Sequence, residues 1–250
     1  MLIMYCSWFI IYSVIGWAYE SLLCSVIERR LINRGFLNGP YCPIYGFGAL
    51  LDIICLNSFS DPLEIFFLGA LLNCTLEYWT SFVMEKMFNA RWWDYSDKKF
   101  NINGRVCLIG AIVFGLFCVL LIKVINPVVI AYINAIPKLI LNIVVILFLI
   151  GYAIDNIITF SAVAKLDDKL RELKEVLEEK RESVAKVVSA YKEETIEKIK
   201  SYIPETPIYK ALTKALSMQN KRIIKAFPRL KSIKYNDALA ELREFINRKK

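Results

Sequence analysis

The sequence predicts an all-α membrane protein, a polytopic bundle of about five transmembrane helices with a cytoplasmic helical tail. Hydrophobic residues make up 56% of the 250 residues and the mean hydropathy is +0.43, which is too apolar for a water-soluble domain. The charge is uneven: residues 1–164 hold 10 basic and 10 acidic side chains, whereas 165–250 hold 22 and 14. We therefore expect a transmembrane bundle at 1–164 and a basic, water-exposed tail at 165–250.

Four apolar runs reach the length of about 20 residues that a helix needs to cross a bilayer. They lie at 2–27, 62–87, 104–126 and 139–163. The first run is preceded by no basic residue and followed by no clear cleavage site, so we expect it to stay as a span. A shorter run at 44–57 suits either a re-entrant segment or a fifth span.

The basic residues favour the fifth span. Clusters of Lys and Arg follow the first, third and last spans, and all three clusters face the cytoplasm only if 40–57 also crosses the membrane. This arrangement predicts an N-terminus outside and a tail inside. The predicted outer loops, 57–62 and 126–137, contain no Lys or Arg.

A loop rich in glycine and proline, GFLNGPYCPIYGFG at 35–48, joins the first two of these segments. Gly39, Pro40, Pro43 and Gly46 interrupt helical hydrogen bonding, and lipid cannot satisfy the backbone groups that this frees. We expect the loop to be inserted into the cytoplasmic half of the bundle. It forms either part of a substrate or ion site, as broken helices do in transporters, or a tight turn that lets a short helix start deep.

Five carboxylates lie in or at the ends of the spans, where a charge costs at least ~2.5–3.5 kcal/mol at mid-membrane; they are Glu20, Asp52, Glu77, Glu85 and Asp155. Glu77, Ser81 and Glu85 recur every four residues and form one polar stripe on a helix. The stripe and Glu20 constitute either a polar pathway with proton-linked carboxylates or a structural set that neutralises Arg91 and Arg105.

Just past the third predicted span, RWWDYS at 91–96 joins aromatic rings to opposite charges. Trp92 and Trp93 are typical anchors at the headgroup level, and with Arg91 they also suit ligand binding through cation–π contact. The Asn-Gly-Arg that ends at Arg105 predicts a turn into the next helix. With no histidine and seven cysteines that never form a C-x-x-C pair, we expect no metal and no cofactor.

The sequence of the tail predicts three helices. Apolar positions at 166, 170, 173 and 177 give a coiled-coil-like seam within a helix of 165–203, which Pro204 ends and which either docks on a partner, dimerises or stays solvated. A basic amphipathic helix follows at 208–227 and a third helix at 236–249, capped by Asn236. We expect this tail to lie on anionic lipid headgroups and to bind no nucleic acid.

Three segments in this order and spacing, at 35–48, 77–96 and 101–108, resemble the ABC-transporter type IV permease family, small bacterial integral membrane proteins also called CmpB-like. The resemblance covers about residues 4–160. It implies a multi-pass permease component of the bacterial plasma membrane, with the family motifs carried by Gly39, Pro40, Cys42, Pro43, Tyr45, Gly46, Glu77, Glu85, Arg91, Trp92, Trp93, Asp94, Tyr95, Gly104 and Arg105.

The sequence contains no G-x-x-x-x-G-K-[ST] motif to cradle nucleotide phosphates, so we expect ATP coupling to come from a separate ATPase subunit. Five helices are few for an alternating-access pathway, which favours a homo-oligomer. The candidate polar or substrate site comprises Glu20, Cys42, Tyr45, Glu77, Ser81, Glu85, Arg91, Trp92, Trp93, Asp94 and Arg105, with Gly39, Pro40, Pro43 and Gly46 in the loop.

Two alternatives to a permease stay open. One is a membrane-embedded enzyme acting on a lipid-linked substrate, with Cys42 or a carboxylate reactive and Arg91 and Arg105 holding phosphate. The balance is against an enzyme, because no nucleophile–base pair is visible and histidine is absent. The other is a scaffold or regulator that acts through its basic tail.

Overall fold

The computed structural model describes residues 1–190 and 218–248. Within these ranges the chain forms eight α-helices: α1 (Leu2–Ile27), α2 (Pro43–Leu56), α3 (Pro62–Phe88), α4 (Leu108–Leu120), α5 (Asn126–Ala135), α6 (Lys138–Ala190), α7 (Met218–Ala226) and α8 (Asn236–Arg248). The strands are two residues each: β1 (Ala90–Arg91), β2 (Asn101–Ile102), β3 (Val106–Cys107) and β4 (Lys231–Ser232). The predicted all-α class is confirmed.

Three stretches of the described residues are long and apolar enough to cross a membrane, judged by length and composition: Leu2–Ile27, Leu108–Ala135 and Lys138–Glu179. Helix α2 is apolar but has only 14 residues. Helix α3 has 27 residues and is long enough to span, but its polar stripe lowers its hydropathy. The number of spans and their orientation therefore stay predictions.

The prediction of a loop at 126–137 is wrong for most of these residues. A five-residue π turn, Leu121–Ile125, joins α4 to α5, so the helical path continues to Ala135 and only residues 136–137 separate it from α6. Pro127 follows the π turn directly, and a π turn is one of the places where a helix accommodates a proline that cannot donate to the preceding turn. Lys123 lies in the π turn and donates to the backbone oxygens of Phe59 and Ser60 at 3.1 and 2.9 Å.

The last predicted span and the first tail helix form one element, because α6 runs for 53 residues without a break. The seam predicted along it is buried: Leu166, Leu170 and Leu173 share one hydrophobic cluster with Leu239 and Leu242 of α8. This part of the seam is thus covered by the same chain. The predicted continuation to 203, the proline stop and residues 208–217 of the second tail helix lie outside the described residues.

The described part of the tail packs on the end of the helix bundle. Strand β4 pairs antiparallel with β1, with Ala90 opposite Ser232 and Arg91 opposite Lys231. Helix α8 begins at Asn236, as predicted. A second cluster fills the space between α1, α2, α3 and the α4–α5 segment, around Tyr12 and Ile65. The chain therefore has two cores: one between the helices of the bundle, and one between the end of the bundle and the C-terminal helices, which we call the core beneath the bundle.

Helices α1 and α2 approach closely at two glycines. A Cβ on Gly46 would lie 2.6 Å from the backbone oxygen of Phe9 and would overlap Ser13, and a Cβ on Gly16 would overlap the ring of Tyr45. Backbone atoms cannot move aside as a flexible side chain can. Glycine at these positions therefore sets the distance between the two helices.

We expect Gly46→Ala to destabilise the protein by about 2 kcal/mol, because overpacking forces the two helices apart. Gly151→Ala is the matched control, since a Cβ on Gly151 has no neighbour within 4 Å. Thermal unfolding of the detergent-solubilised protein, followed by circular dichroism, should show a lower midpoint for Gly46→Ala alone. Equal midpoints for the two variants would contradict the close approach.

Candidate functional site

The loop between α1 and α2 is held at its N–H groups by the carboxylate of Asp155 in α6. Asp155 Oδ1 accepts from the backbone N–H and side-chain amide of Asn38 at 3.2 and 2.8 Å, and from the hydroxyl of Thr159 at 3.1 Å. Its Oδ2 accepts from the N–H of Gly39 at 2.9 Å and the hydroxyl of Tyr41 at 2.6 Å. One buried carboxylate thus receives five hydrogen bonds.

The carbonyl groups at the start of the loop accept hydrogen bonds from the C-terminal part of the chain. Arg222 of α7 donates to the backbone oxygens of Gly35 and Phe36 at 2.9 and 2.6 Å. Burial lowers the pKa of Arg222, although the charge of Asp155 opposes this. The N–H of Cys42 donates to the backbone oxygen of Ser13 in α1 at 2.8 Å, just before α2 begins. Protein groups satisfy the broken backbone, which is the condition for placing such a loop at membrane depth.

Glu20 of α1 lies beside the loop and has two partners. Its Oε2 accepts from Arg34 Nε at 3.1 Å, and its Oε1 accepts from the hydroxyl of Tyr45 in α2 at 2.9 Å. The Arg34 guanidinium also donates to the backbone oxygen of Ala226 and lies 4.3 Å from the ring centre of Phe227. Arg34 therefore joins the carboxylate inside the bundle to the end of α7.

Glu77 of α3 accepts from the hydroxyl of Tyr95 at 3.2 Å, and the Tyr95 N–H donates to the oxygen of Gly104 at 2.8 Å. Burial raises the pKa of Tyr95, and the charges of Glu77 and, more weakly, Glu20 raise it further. The hydroxyl of Tyr95 is bonded to Glu77, and the charge of Glu20 acts on it from a greater distance. We call this group the polar interior; its members are Glu20, Arg34, Tyr45, Glu77 and Tyr95.

Glu85 forms a separate ion-pair network nearer the end of α3. Its Oε2 accepts from Arg91 Nε and its Oε1 from Arg105 Nη2, both at 3.0 Å. Arg105 is buried and also donates to the hydroxyl of Ser81 at 3.1 Å. Trp93 Nε1 donates to the backbone oxygen of Arg105 at 3.1 Å. These contacts bind the β2–β3 hairpin to α3, which is what the structural interpretation of Glu85 predicts.

Trp92 lies in the core beneath the bundle and is 2% exposed, so its ring is not available at the headgroup level. The ring packs against Phe36 of the loop, Phe88 of α3 and Phe227 after α7, with centroids 5.0, 5.9 and 5.1 Å away. Aromatic pairs at these separations add to the stabilisation that burial alone provides. Trp92 thus joins the loop and the tail rather than facing lipid.

Asp94 makes a polar connection between the hairpin and the tail. Its Oδ2 lies 2.6 Å from Lys231 Nζ in β4, and its Oδ1 accepts from the N–H of Ser96 at 3.0 Å. Burial acts to raise the pKa of Asp94, but the hydrogen bonds from Lys231 and Ser96 outweigh it and lower that pKa below the usual range. The carboxylate is therefore ionised throughout the neutral range.

A second buried carboxylate, Asp52 of α2, lies deeper in the bundle. The side-chain amide of Asn73 in α3 donates to both of its oxygens at 2.8 and 2.9 Å, and to the backbone oxygen of Gly69 at 3.0 Å. This contact ties α2 to α3. Among the residues that the structure describes, no group of three His, Cys, Asp or Glu side chains is arranged to hold a metal ion.

The structure divides the sequence-predicted residues between these places. In the polar interior Glu20 accepts from Tyr45, and Glu77 accepts from Tyr95. The ion-pair network between α3 and the hairpin contains Ser81, Glu85, Arg91, Trp93 and Arg105. Cys42 is buried at the start of α2, where Pro43 is its first residue. Sequence reasoning did not select Arg34, Asn38 or Arg222. An aspartate in the apolar run GYAIDNIITF, with a threonine one turn later, was the available signal for Asp155 as the acceptor for a broken loop.

We expect Asp155→Asn to destabilise the protein by about 3 kcal/mol, because the new amide N–H group faces the donors of the loop. Asp52→Asn is the matched control: it also removes a buried carboxylate, but its remaining oxygen can still accept from Asn73. Thermal unfolding in detergent measures both, and limited proteolysis reports opening of the 35–42 segment. Equal losses would show that Asp155 has no special role in holding the loop.

Comparison with known proteins gives one family. The family model described as Putative ABC-transporter type IV matches residues 7–160, which is more than half of the chain. The match contains the loop, the polar interior and the ion-pair network of Glu85. No curated protein and no solved structure matches the chain significantly.

Proposed function

The chain belongs to the Putative ABC-transporter type IV family, and from that premise we propose that it is a permease-like, multi-pass subunit of the bacterial plasma membrane that relies on a separate ATP-hydrolysing chain. The observation that carries the proposal is the polar interior beside a broken loop. Non-helical backbone at membrane depth is tolerated where it is packed in protein or lines a wet cavity, and in transporters such segments form substrate and ion sites.

The polar interior offers groups of both signs to a substrate. The Glu20 side chain is 30% exposed and Arg34 17% exposed, so neither is sealed in the core. Glu77 accepts a hydrogen bond from the hydroxyl of Tyr95. A polar solute entering here would meet two carboxylates and two tyrosine hydroxyls, with one arginine below.

The contacts favour a permease over an enzyme acting on lipid-linked phosphate. Arg91 and Arg105 are the cations expected to hold such a phosphate, and both are already paired with Glu85. Cys42 is buried and its neighbouring backbone is part of the loop anchorage. A scaffold and a transport subunit differ in whether they need the carboxylate of Glu77, which the Glu77→Gln variant tests.

We propose five membrane crossings, with the N-terminus outside, the membrane part at 1–164 and the cytoplasmic part at 165–250. Arg34 after α1, Asp94 after α3 and Leu166 within α6 all contact the described tail or share its core. These contacts gather the ends of α1 and α3 at the side of the tail. Two crossings, by α2 and α3, are then needed between residues 27 and 88, which supports a spanning α2.

A cysteine at position 58, introduced in place of Ser58 between α2 and α3, should react with a membrane-impermeant maleimide added to intact cells. A cysteine in place of Lys98, in the hairpin region, should react only after the membrane is opened. Both positions are exposed, so access decides the result. The seven native cysteines are first replaced by serine or alanine. Reaction of position 98 in intact cells would contradict the orientation.

The proposed partners are an ATPase subunit and a second copy of the chain. Cross-linking in the native membrane, mild detergent extraction and mass spectrometry should recover an ATP-binding chain in near-stoichiometric amount with this protein. A tagged multi-pass protein of similar abundance is the control for adventitious capture. Recovery of the protein alone, or only with copies of itself, would overturn the proposed coupling to ATP.

The role of the polar interior needs a separate measurement. In a strain lacking the protein, we expect Glu77→Gln to fail to restore the wild-type phenotype although it accumulates and folds normally. Glu64→Gln is the matched control, because Glu64 is an exposed acid in the first turn of the same helix. Full restoration by Glu77→Gln would remove this carboxylate from the mechanism and favour a scaffold.

A further inference from the structure

A buried carboxylate with few partners lies between α2 and α3, outside the polar interior. Asp52 is 4% exposed, and Ile53 and Leu56 of the same helix belong to the hydrophobic cluster of the bundle. The thiol of Cys118 in α4 lies against its carboxylate. From α3, the side-chain amide of Asn73 donates to both carboxylate oxygens. Asp52 is therefore enclosed between three helices.

The donors around Asp52 are few for a buried charge. Asn73 Nδ2 carries two hydrogens but has three oxygen neighbours, the two of Asp52 at 2.8 and 2.9 Å and the backbone oxygen of Gly69 at 3.0 Å. No lysine or arginine in the part of the chain that the structure describes pairs with Asp52. By contrast, the buried Asp155 receives five hydrogen bonds. A buried carboxylate with so little compensation becomes neutral by binding a proton.

We propose that Asp52 is a proton-binding site of the bundle, which takes up one proton from water and releases it again. The proton adds to one carboxylate oxygen, and no other bond changes. The Asn73 contact persists, because an amide N–H donates to a neutral carboxyl group as well as to a carboxylate. A metal cation fits less well, since Asn73 Nδ2 already occupies the place between the three oxygens.

Polar side chains on two helix faces connect Asp52 with the polar interior. Asn73 and Glu77 are four residues apart on α3 and share one face of that helix. Tyr45 and Asp52 are seven residues apart on α2 and share one face as well. Between them lies Gly48, where a Cβ would lie 2.7 Å from Asn73 Oδ1, so the glycine leaves room for the amide. These groups give a proton a polar route to Asp52.

Burial and two side chains, of Asn73 and Cys118, set the proton equilibrium of Asp52. Titratable groups on the elements packed against α2 that are bonded to other partners include Tyr12 and Glu20 of α1, Glu77 of α3 and Lys123 of the π turn. Proton binding at Asp52 requires neither an ATPase nor a transported substrate. It can therefore be tested separately from the proposed function.

Infrared difference spectroscopy of the full-length protein in lipid vesicles tests the proposal. A protonated carboxyl group has a carbonyl stretch above the amide I band, and a heavy carbon isotope in the aspartate carboxyl group shifts the bands of aspartates alone. Between about pH 9 and about pH 5, where exposed aspartates stay largely ionised, one such band should appear in the wild type. Asp52→Asn should lack it. In heavy water the band should shift, because the proton exchanges with solvent.

The matched control is Asp61→Asn, which should keep the band. It removes an exposed aspartate at the N-cap of α3, where asparagine caps equally well. Asn73→Ala removes an amide donor whose hydrogen bond is stronger to the charged carboxylate than to the neutral acid. Its band should therefore persist to a pH about one unit higher than in the wild type. Circular dichroism checks that each variant is folded.

Four results would overturn the proposal. The absence of an aspartate band throughout this range would mean that Asp52 stays ionised, and a band retained by Asp52→Asn would belong to another aspartate. A band of constant intensity from about pH 5 to about pH 9 would mean that Asp52 never releases its proton. Replacement of choline chloride by sodium chloride at constant pH should leave the band in place; its loss would mean that a metal cation displaces the proton.

Discussion

The arrangement of the membrane part depends on one carboxylate that replaces lost backbone hydrogen bonds. Asp155 accepts from two consecutive backbone N–H groups, of Asn38 and Gly39, and from three side chains. Without it, a loop with glycine and proline at this depth would leave its donors unpaired, at a cost of about 1–3 kcal/mol each. The five donors in turn compensate the burial of a charge within an apolar helix.

The loop is held from two sides by groups of opposite charge. Its N–H groups meet Asp155 in the bundle, and its first carbonyl groups meet Arg222 in the tail. Arg34 adds a second connection, because it contacts both Glu20 and the end of α7. The described tail is consequently part of the support of the polar interior, whereas its sequence predicted a basic, water-exposed part on lipid headgroups.

Apolar run length was sufficient to predict α1, α3, α4 and the membrane half of α6, and Asn-Gly-Arg was sufficient for the β2–β3 turn. The loop predicted at 126–137 is wrong because the π turn at Leu121–Ile125 lets the helix continue through the Asn-Pro pair. Neither the burial of Trp92 nor the pairing of β1 with β4 was predictable. A two-residue strand has no periodicity, and an interfacial tryptophan and a core tryptophan have the same local sequence. For the polar interior, the sequence indicated the polar residues but not the hydrogen-bond partners that they have in the structure.

The hydrophobic core beneath the bundle has a consequence for where the chain can be divided. Phe88, Trp92 and Val163 belong to it, and so do Leu166, Ile223 and Leu239. The cooperative folding unit therefore extends beyond residue 160, where the family match ends. Truncation at that point would expose large aromatic and aliphatic side chains that are buried in the whole chain, and such surfaces promote aggregation. We therefore expect a fragment that folds on its own to need the C-terminal helices.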